Sequence, residues 1–299
     1  MNNEEAYLDM LRRILDEGKY RKPEGEEGRY ELFAQPLRFD LSDNKIPLMT
    51  TKKVFFKSLV VEMLWFLSGS QDISLLKENN VKIWDIWANE EGVVGPLYGF
   101  QWRHWRIDPT VSEKYYNGEK EIDQIADVMW TLRERPEARS HIVTAWRPDH
   151  LKLMSIKPCH ILLQFYRWDD EVSLMLTQRS CDAYLGVPFN IAQYSLLTHM
   201  VAHQLDCKAK EFIWFGGDVH IYENHINQVR GQLDKPILAP PTIAFKRKPA
   251  DIFSYQLDDF NLRGYVHADY VPGEVSPQGQ PGKGVRLGEY DCRCQELDQ

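Results

Sequence analysis

Apolar positions along the chain follow two rhythms. Leu8, Leu11 and Leu15 recur at helical spacing between Glu4 and Glu17, and Gly18 follows as a stop, so the spacing predicts a helix there. The polar run "RKPEGEEGR" reads as a turn or loop. Beyond it "YELFAQPLRFDL" alternates as a strand does, and "IPLMTTKKV" leads into a second helix, "FKSLVVEMLWFLSG". "DQIADVMWTLRERP" predicts an amphipathic helix ended by proline. "HIVTAW", "HILLQFYRW" and "VSLMLTQRS" are rich in branched and aromatic residues and read as consecutive strands. A Gly-Val-Pro-Phe turn then precedes "NIAQYSLLTHMVAHQL", which is long, apolar and proline-free and predicts a central helix. "KEFIWFGGDVHIY" returns to strand, and "TIAFKRKP" predicts another.

Strands and helices mix here without the regular alternation of a doubly wound sheet. That pattern predicts an α+β layer fold, one large sheet covered by helices, in a single domain. From Val271 the sequence turns rich in glycine and proline, "VPGEVSPQGQPGKGVRLG". The expected division is a domain over residues 1–270 and an extension over 271–299, read as a flexible or wrapped tail.

Composition narrows the function. A net charge of −8 provides no field to attract a nucleic-acid backbone, so no nucleic-acid partner is expected, although placed arginines can still bind a small anion. The apolar stretches are too short or too interrupted to span a bilayer, and the acidic N-terminus is no signal peptide. The cysteines are Cys159, Cys181, Cys207, Cys292 and Cys294, an odd set without paired spacing, which reads as a reducing, cytoplasmic setting. "CRC" lacks the spacing of a zinc knuckle, and "HMVAH" lacks the glutamate of a metalloprotease helix, so no metal is expected.

Three stretches carry candidate chemistry. "SIKPCHILLQFY" places Cys159 at the head of an apolar run, where it is either packing or a nucleophile. "TQRSCDAYLGVPFNIA" interleaves Arg179, Ser180, Asp182 and Asn190 with segments that read as core, so these polar groups need partners or a ligand. "GGDVHIYENH" adds Asp218, His220 and Tyr222 beside two glycines.

Together with "PLMTTKK", "EMLWFLSG" and "NVKIWDIWANEEGVVGPLYGFQWR", these strings resemble the folate-dependent thymidylate synthase family, from "YLDMLRRILDEG" through "KRKPADIFSYQLDDFNLRGY". The resemblance implies a large mixed β-sheet covered by helices and a homodimer packed sheet to sheet. It implies a dUMP-like uracil nucleotide as substrate and 5,10-methylenetetrahydrofolate as co-substrate. C5 of uracil is a poor nucleophile until C6 is attacked, and a thiolate adding at C6 makes C5 enolate-like. By resemblance Cys159 is that nucleophile, with Arg179 the cation that contacts both phosphate and cysteine and holds the thiol ionised. Asn190 presents donor and acceptor to N3–H and O4 of uracil, where relatives acting on cytosine carry an acid. The resemblance makes Glu62 and His160 the groups organising water and protons near O4, and sets Tyr98 where the C5 proton leaves. His220 and Tyr222 would hold the sugar hydroxyl. Arg139, Ser180 and Asp182 complete the substrate set, Arg139 serving the partner subunit's site. Ile83, Trp84, Trp87, Asp182, Leu185, Gly186 and Phe189 would bind the folate, and Lys52 its glutamate tail.

The departures matter as well. Glu24 stands where the family has a phosphate-binding arginine, and Arg139-Ser140 stands where it has an arginine pair. Arg21, Arg29 or Arg147 could compensate. In the family a short apolar terminus closes over the folate, whereas here the chain continues in polar sequence through Gln299. A wetter site lets water add to the methylene intermediate, and a closed one lets the folate pass hydride. Bulky Trp84 and Ile156 favour the closed route, and the altered terminus outweighs them. The expectation is a deoxyuridylate hydroxymethylase of the kind DNA-modifying bacteriophages use, and a viral source would place it in host cytoplasm. A thymidylate synthase with a replacement lid is the alternative, and a non-catalytic interaction protein that kept the fold is the remote one.

Overall fold

The structure is a computed structural model and describes residues 3–269 and 271–273. It opens with α1 (Asn3–Glu17), β1 (Lys19–Arg21) and β2 (Arg29–Asp40), followed by α2 (Phe56–Ser68), α3 (Ser74–Glu78) and α4 (Gly99–Arg103). A small excursion holds β3 (Trp105–Arg106), α5 (Pro109–Tyr115) and β4 (Glu121–Ile122), before α6 (Gln124–Glu134) and β5 (Ile142–Thr144). The centre is β6 (His160–Trp168), β7 (Glu171–Asp182), α7 (Gly186–Gln204) and β8 (Lys208–Tyr222), and α8 (Ile226–Leu233), β9 (Thr242–Phe245) and β10 (Phe260–Arg263) complete it.

β1-β2-β8-β7-β6-β5 form one six-stranded sheet. β7 and β8 run parallel while the other neighbours run antiparallel, so the sheet is mixed and the fold is α+β as expected. A parallel pair needs a crossover, and α7 supplies it. That helix is apolar on almost every side because it is buried on almost every side, with Tyr194 stacked on Phe212 at 6.4 Å. It starts at Gly186, earlier than the turn expected from Gly-Val-Pro-Phe. Pro188 lies in its first turn, where a missing N–H costs nothing.

"RKPEGEEGR" is a turn whose ends pair, Arg21 opposite Arg29, as the β1–β2 hairpin. "HIVTAW" and "TIAFKRKP" yield shorter strands than expected, Ile142–Thr144 and Thr242–Phe245. The region from Val271 onward lies almost wholly outside the described residues. Within them, no helix is long and apolar enough to cross a membrane.

Three strands change their alternation along one row. Pairing steps from Phe33–Asp218 to Gln35–Gly216, and from Gln178–Gly216 to Ser180–Asp218, which sets Ala34, Gly217 and Arg179 in line. Ala34 has a φ of 60°, and a Cβ on Gly217 would sit 2.9 Å from the Arg179 carbonyl oxygen, so that position needs glycine. On one side of the row the core takes Leu37, Phe39, Leu174, Leu176, Phe212 and Trp214; on the other it takes Leu32, Cys181, Val219 and Ile221. Odd and even have exchanged. By alternation Glu31, Ser180, Asp182, Asp218, His220 and Tyr222 therefore project from the face opposite the core, one continuous polar floor.

Candidate active site

The loop before α4 sets the first reactive group. A Cβ on Gly99 would lie 1.9 Å from the Phe66 carbonyl oxygen, so glycine alone lets α4 close on α2. The preceding Tyr98 is held at φ 38°, ψ −104°, a strained conformation worth roughly 1–3 kcal/mol. Its ring stacks on Phe66 at 4.9 Å and its hydroxyl accepts the Cys159 backbone N–H at 2.9 Å.

Cys159 leads directly into β6, and Arg179 on β7 encloses it. The Arg179 backbone N–H donates to the Cys159 carbonyl at 2.8 Å. The Arg179 guanidinium donates to the Pro158 and Lys157 carbonyls at 2.9 and 2.8 Å, and its Nη2 lies 3.9 Å from Cys159 Sγ. Burial nonetheless pushes the Cys159 thiol pKa up, against the opposing pull of Arg179 and Tyr98. Arg179 thus acts in the expected sense, favouring the thiolate, and burial outweighs it. The guanidinium is shared with two carbonyls and meets sulfur only at the outer limit of a hydrogen bond.

Behind the cysteine lies a layer of buried proton-handling groups. Glu62 on α2 accepts from Trp84 Nε1 at 2.6 Å and from Gln193 Nε2 at 2.8 Å. Burial still pushes its pKa up to about 7. His160 pairs through Nδ1 with the Tyr194 hydroxyl at 2.9 Å, and burial pushes it down to about 4, so its imidazole is neutral near pH 7. Burial, with the charge of Cys159, raises the Tyr98 phenol far above its usual range, keeping it protonated.

Asn190 is oriented by a relay. Trp214 Nε1 can only donate, and it gives its proton to Gln178 Oε1 at 2.9 Å. Gln178 Nε2 must then donate, and Asn190 Oδ1 accepts it at 3.0 Å. The Asn190 NH2 group is thereby assigned to the other side, free of any flip ambiguity. On the polar floor His220 Nδ1 pairs with Asp218 Oδ1 at 2.9 Å, with Tyr222 edge-on to the imidazole. Ser180 lies in register with Asp218 on that floor. Asp182 Oδ1 accepts the Tyr184 and Leu185 backbone N–H groups, both at 3.0 Å, and so shapes the turn into α7.

The expected folate wall assembles in part. Trp84 is 7% exposed and packs on Trp87, Phe66 and Tyr98, while Leu185 and Phe189 are half-buried beside the core. Ile83 is exposed at the rim. Trp87 Nε1 is buried without a partner, an orphan donor on a wall of the right chemistry for a flat heterocycle. Lys52 departs from expectation. It is only 3% exposed, donates to the Tyr184 carbonyl at 2.5 Å and sits 3.5 Å above the Tyr184 ring, so it turns inward and not toward a solvent-borne glutamate tail.

The compensating cations are also otherwise engaged. Arg21 and Arg29 both bind Glu31, and Arg29 binds Glu26 as well. Arg147 is tied to Asp149 and stacks over Trp105. Arg139 is exposed on the loop between α6 and β5. In "HMVAH", His199 pairs with the Lys45 carbonyl and His203 with the Tyr255 hydroxyl, so each imidazole has a structural partner.

Comparison with protein-family models matches thymidylate synthase over residues 5–277. The chain belongs to the thymidylate synthase family. That membership makes it a one-carbon transferase of uracil nucleotides that uses 5,10-methylenetetrahydrofolate. Sequence reading of this thymidylate synthase-family chain had missed Gln178, Gln193 and Tyr194, which orient Asn190, Glu62 and His160. Gln178 stands next to Arg179 and could have been found as a polar residue in a strand of otherwise core character; the other two carry no local signal.

Proposed function

We propose that the protein is a deoxyuridylate hydroxymethylase, converting dUMP, 5,10-methylenetetrahydrofolate and water to 5-hydroxymethyl-dUMP and tetrahydrofolate. The observation that carries the reading is the enclosure of Cys159 between Arg179 and Tyr98, with Asn190 oriented alongside.

Cys159 gives up its proton and its sulfur bonds to C6, placing the electron pair on C5 and O4. The co-substrate supplies the methylene carbon that C5 attacks. Asn190 holds the ring edge, and Glu62 with neutral His160 organises water and protons at O4. Loss of the C5 proton beside Tyr98 and departure of tetrahydrofolate leave an exocyclic methylene. Water adds its oxygen to that carbon and yields a proton toward Glu62, and the returning electrons expel Cys159 from C6. Arg179, Ser180 and the partner subunit's Arg139 bind phosphate, while His220 and Tyr222 hold the sugar. Trp84, Trp87, Ile83, Leu185, Gly186, Phe189 and Asp182 receive the folate.

Two features favour water over hydride. A carboxyl with a pKa of about 7 can both hold and deprotonate a water at neutral pH. The sequence after Gly273 reads Glu-Val-Ser-Pro-Gln, polar where the family closes with apolar residues. The alternative, reductive methylation to dTMP, draws on the enclosed Trp84 and the half-buried Ile156. Mass spectrometry of the nucleotide product decides between them. A 5-hydroxymethyl product without dihydrofolate absorbance is expected, and a methyl product with one dihydrofolate per turnover would exclude the hydroxymethylase.

We also read the active form as a homodimer. Phe33, Tyr166 and Phe215 are 82%, 58% and 40% exposed, and by alternation they lie on the sheet face opposite the buried or half-buried strand residues beside them. Such a face is covered when a second sheet packs on it. Phe215→Glu is expected to give a monomer in sedimentation and to remove activity with it, because each site then lacks its neighbour's Arg139. A fully active monomer would contradict this assembly.

A further inference from the structure

α1 reaches the turn between β7 and α7 by two routes. Directly, the fully buried Tyr7 donates its hydroxyl to the Ala183 carbonyl at 2.8 Å. Indirectly, Glu4, 5% exposed, spreads its carboxylate over the next layer. Its oxygens accept the Thr50 and Thr51 backbone N–H groups at 2.8–2.9 Å and both threonine hydroxyls at 2.6 Å. The adjoining Lys52 donates to the Tyr184 carbonyl at 2.5 Å and covers the Tyr184 ring. Two successive carbonyls of the turn are thus held by one helix and by a segment that the same helix fixes.

The turn has two kinds of passenger. Asp182, Leu185 and Gly186, assigned above to the folate, project from it or flank it. The Tyr184 hydroxyl donates to the Val271 carbonyl at 2.9 Å, and a Cβ on Gly273 would lie 2.9 Å from Leu185. Thr50 itself accepts the Ala268 N–H at 2.8 Å through its carbonyl and the Leu238 N–H at 2.9 Å through its hydroxyl. Gln232 donates to the Thr51 hydroxyl at 2.9 Å. Glu4 therefore anchors a hub joining the N-terminal helix, the loop before α2, α8 and the segment that runs past the folate wall.

We propose that Glu4 and Tyr7 are positioning residues for the folate half of the site. They touch neither substrate, and they fix the turn and the C-terminal segment against which the folate is bound. The nucleotide half stands on Cys159, Arg179 and Asn190, with Ser180, Asp218 and His220 on the polar floor; the turn meets it through the Ala183 N–H, which donates to the His220 carbonyl at 2.8 Å. The proposal rests on the folate reading of that wall.

The test measures two affinities in the full-length protein, 5,10-methylenetetrahydrofolate by quenching of tryptophan fluorescence and dUMP by calorimetry. Tyr7→Phe removes one hydroxyl and leaves the ring in place. It is expected to weaken folate binding on the order of tenfold, the worth of one buried hydrogen bond, while dUMP binding stays within about twofold. Glu4→Gln, which turns an N–H2 donor toward N–H donors, is expected to have the larger effect, and Glu4→Asp to restore part of it. Equal weakening of both ligands, or unchanged folate binding with only a lower melting temperature, overturns the positioning role. Failure of the unaltered protein to bind folate at all overturns the folate reading beneath it, and the proposal with it.

Discussion

Cys159→Ala is expected to lower one-carbon transfer to dUMP by roughly 10⁴-fold or more, the scale seen when a covalent nucleophile is removed. The fold should not respond. The cysteine's structural bonds are made by its backbone N–H to Tyr98 and its carbonyl to Arg179, and alanine keeps both. Binding of dUMP should also survive, because Asn190 is set by Gln178 and Trp214 and not by the sulfur. Steady-state rates beside an unchanged dUMP dissociation constant check this. Cys159→Ser is expected to fall as far as alanine, since a hydroxyl in the same place is far from ionisation. The raised thiol pKa adds a second signature: in the substrate-free protein, alkylation of Cys159 rises with pH through and above the ordinary thiol range.

Glu62→Gln is expected to lower kcat by about 10²–10⁴-fold, the usual contribution of a positioned acid–base group. The pH dependence of kcat near 7 should go with it, because no other acidic group here has its pKa moved to that value by burial among the proton-handling residues beside Cys159. Stability moves the other way. In the folded protein Glu62 binds its proton more tightly than in the unfolded chain, with its pKa raised from 4.5 to about 7. That contribution is whole below pH 4.5 and is lost as pH rises through about 7, a loss of order 3 kcal/mol. The glutamine variant never acquires the charge, so urea unfolding should find it more stable than its parent at pH 8 and near parity at pH 4.5. Gln193 can accommodate the exchange, since its Oε1 is buried without a partner and a flipped amide would accept. His160 works in the opposite sense. Its pKa is depressed to about 4, so the stability it contributes is present above pH 6.5 and lost as pH falls toward 4. A variant no more stable than its parent at pH 8 would show that Glu62 ionises freely in place.

Much of this was legible from residues that carry their chemistry locally. Cys159 heading an apolar strand and the hydrophobic rhythms of α1, α2, α6 and α7 fall on the observed elements. The Arg179 to Asn190 cluster runs from the end of β7 into the second turn of α7, a helix that starts four residues before the expected one. The short helices α3, α4, α5 and α8 were not legible, because five to eight residues are too few to show a period. The row of Ala34, Gly217 and Arg179 was invisible for another reason. It exists only once three distant strands are in register, and it reverses which alternate residues face the core. Lys52 was placed at the glutamate tail by resemblance alone, and no local pattern signals its burial against the Tyr184 carbonyl and ring. Arg21 looked like a free cation because Glu31 meets it only after the hairpin closes, whereas Arg29 meets Glu31 two residues along its own strand.

The central claim is a bond between Cys159 Sγ and C6 of a uracil ring, and 5-fluoro-dUMP reports it directly. Fluorine replaces the C5 proton that must leave, so the adduct cannot proceed once the methylene carbon is attached. Intact-mass analysis of the protein with 5-fluoro-dUMP and 5,10-methylenetetrahydrofolate is expected to show one nucleotide and one folate added per chain. Peptide mapping should place them on Cys159, and Cys159→Ala should show none. No adduct in the unaltered protein, or an adduct that persists when Cys159 is alanine, would contradict the mechanism.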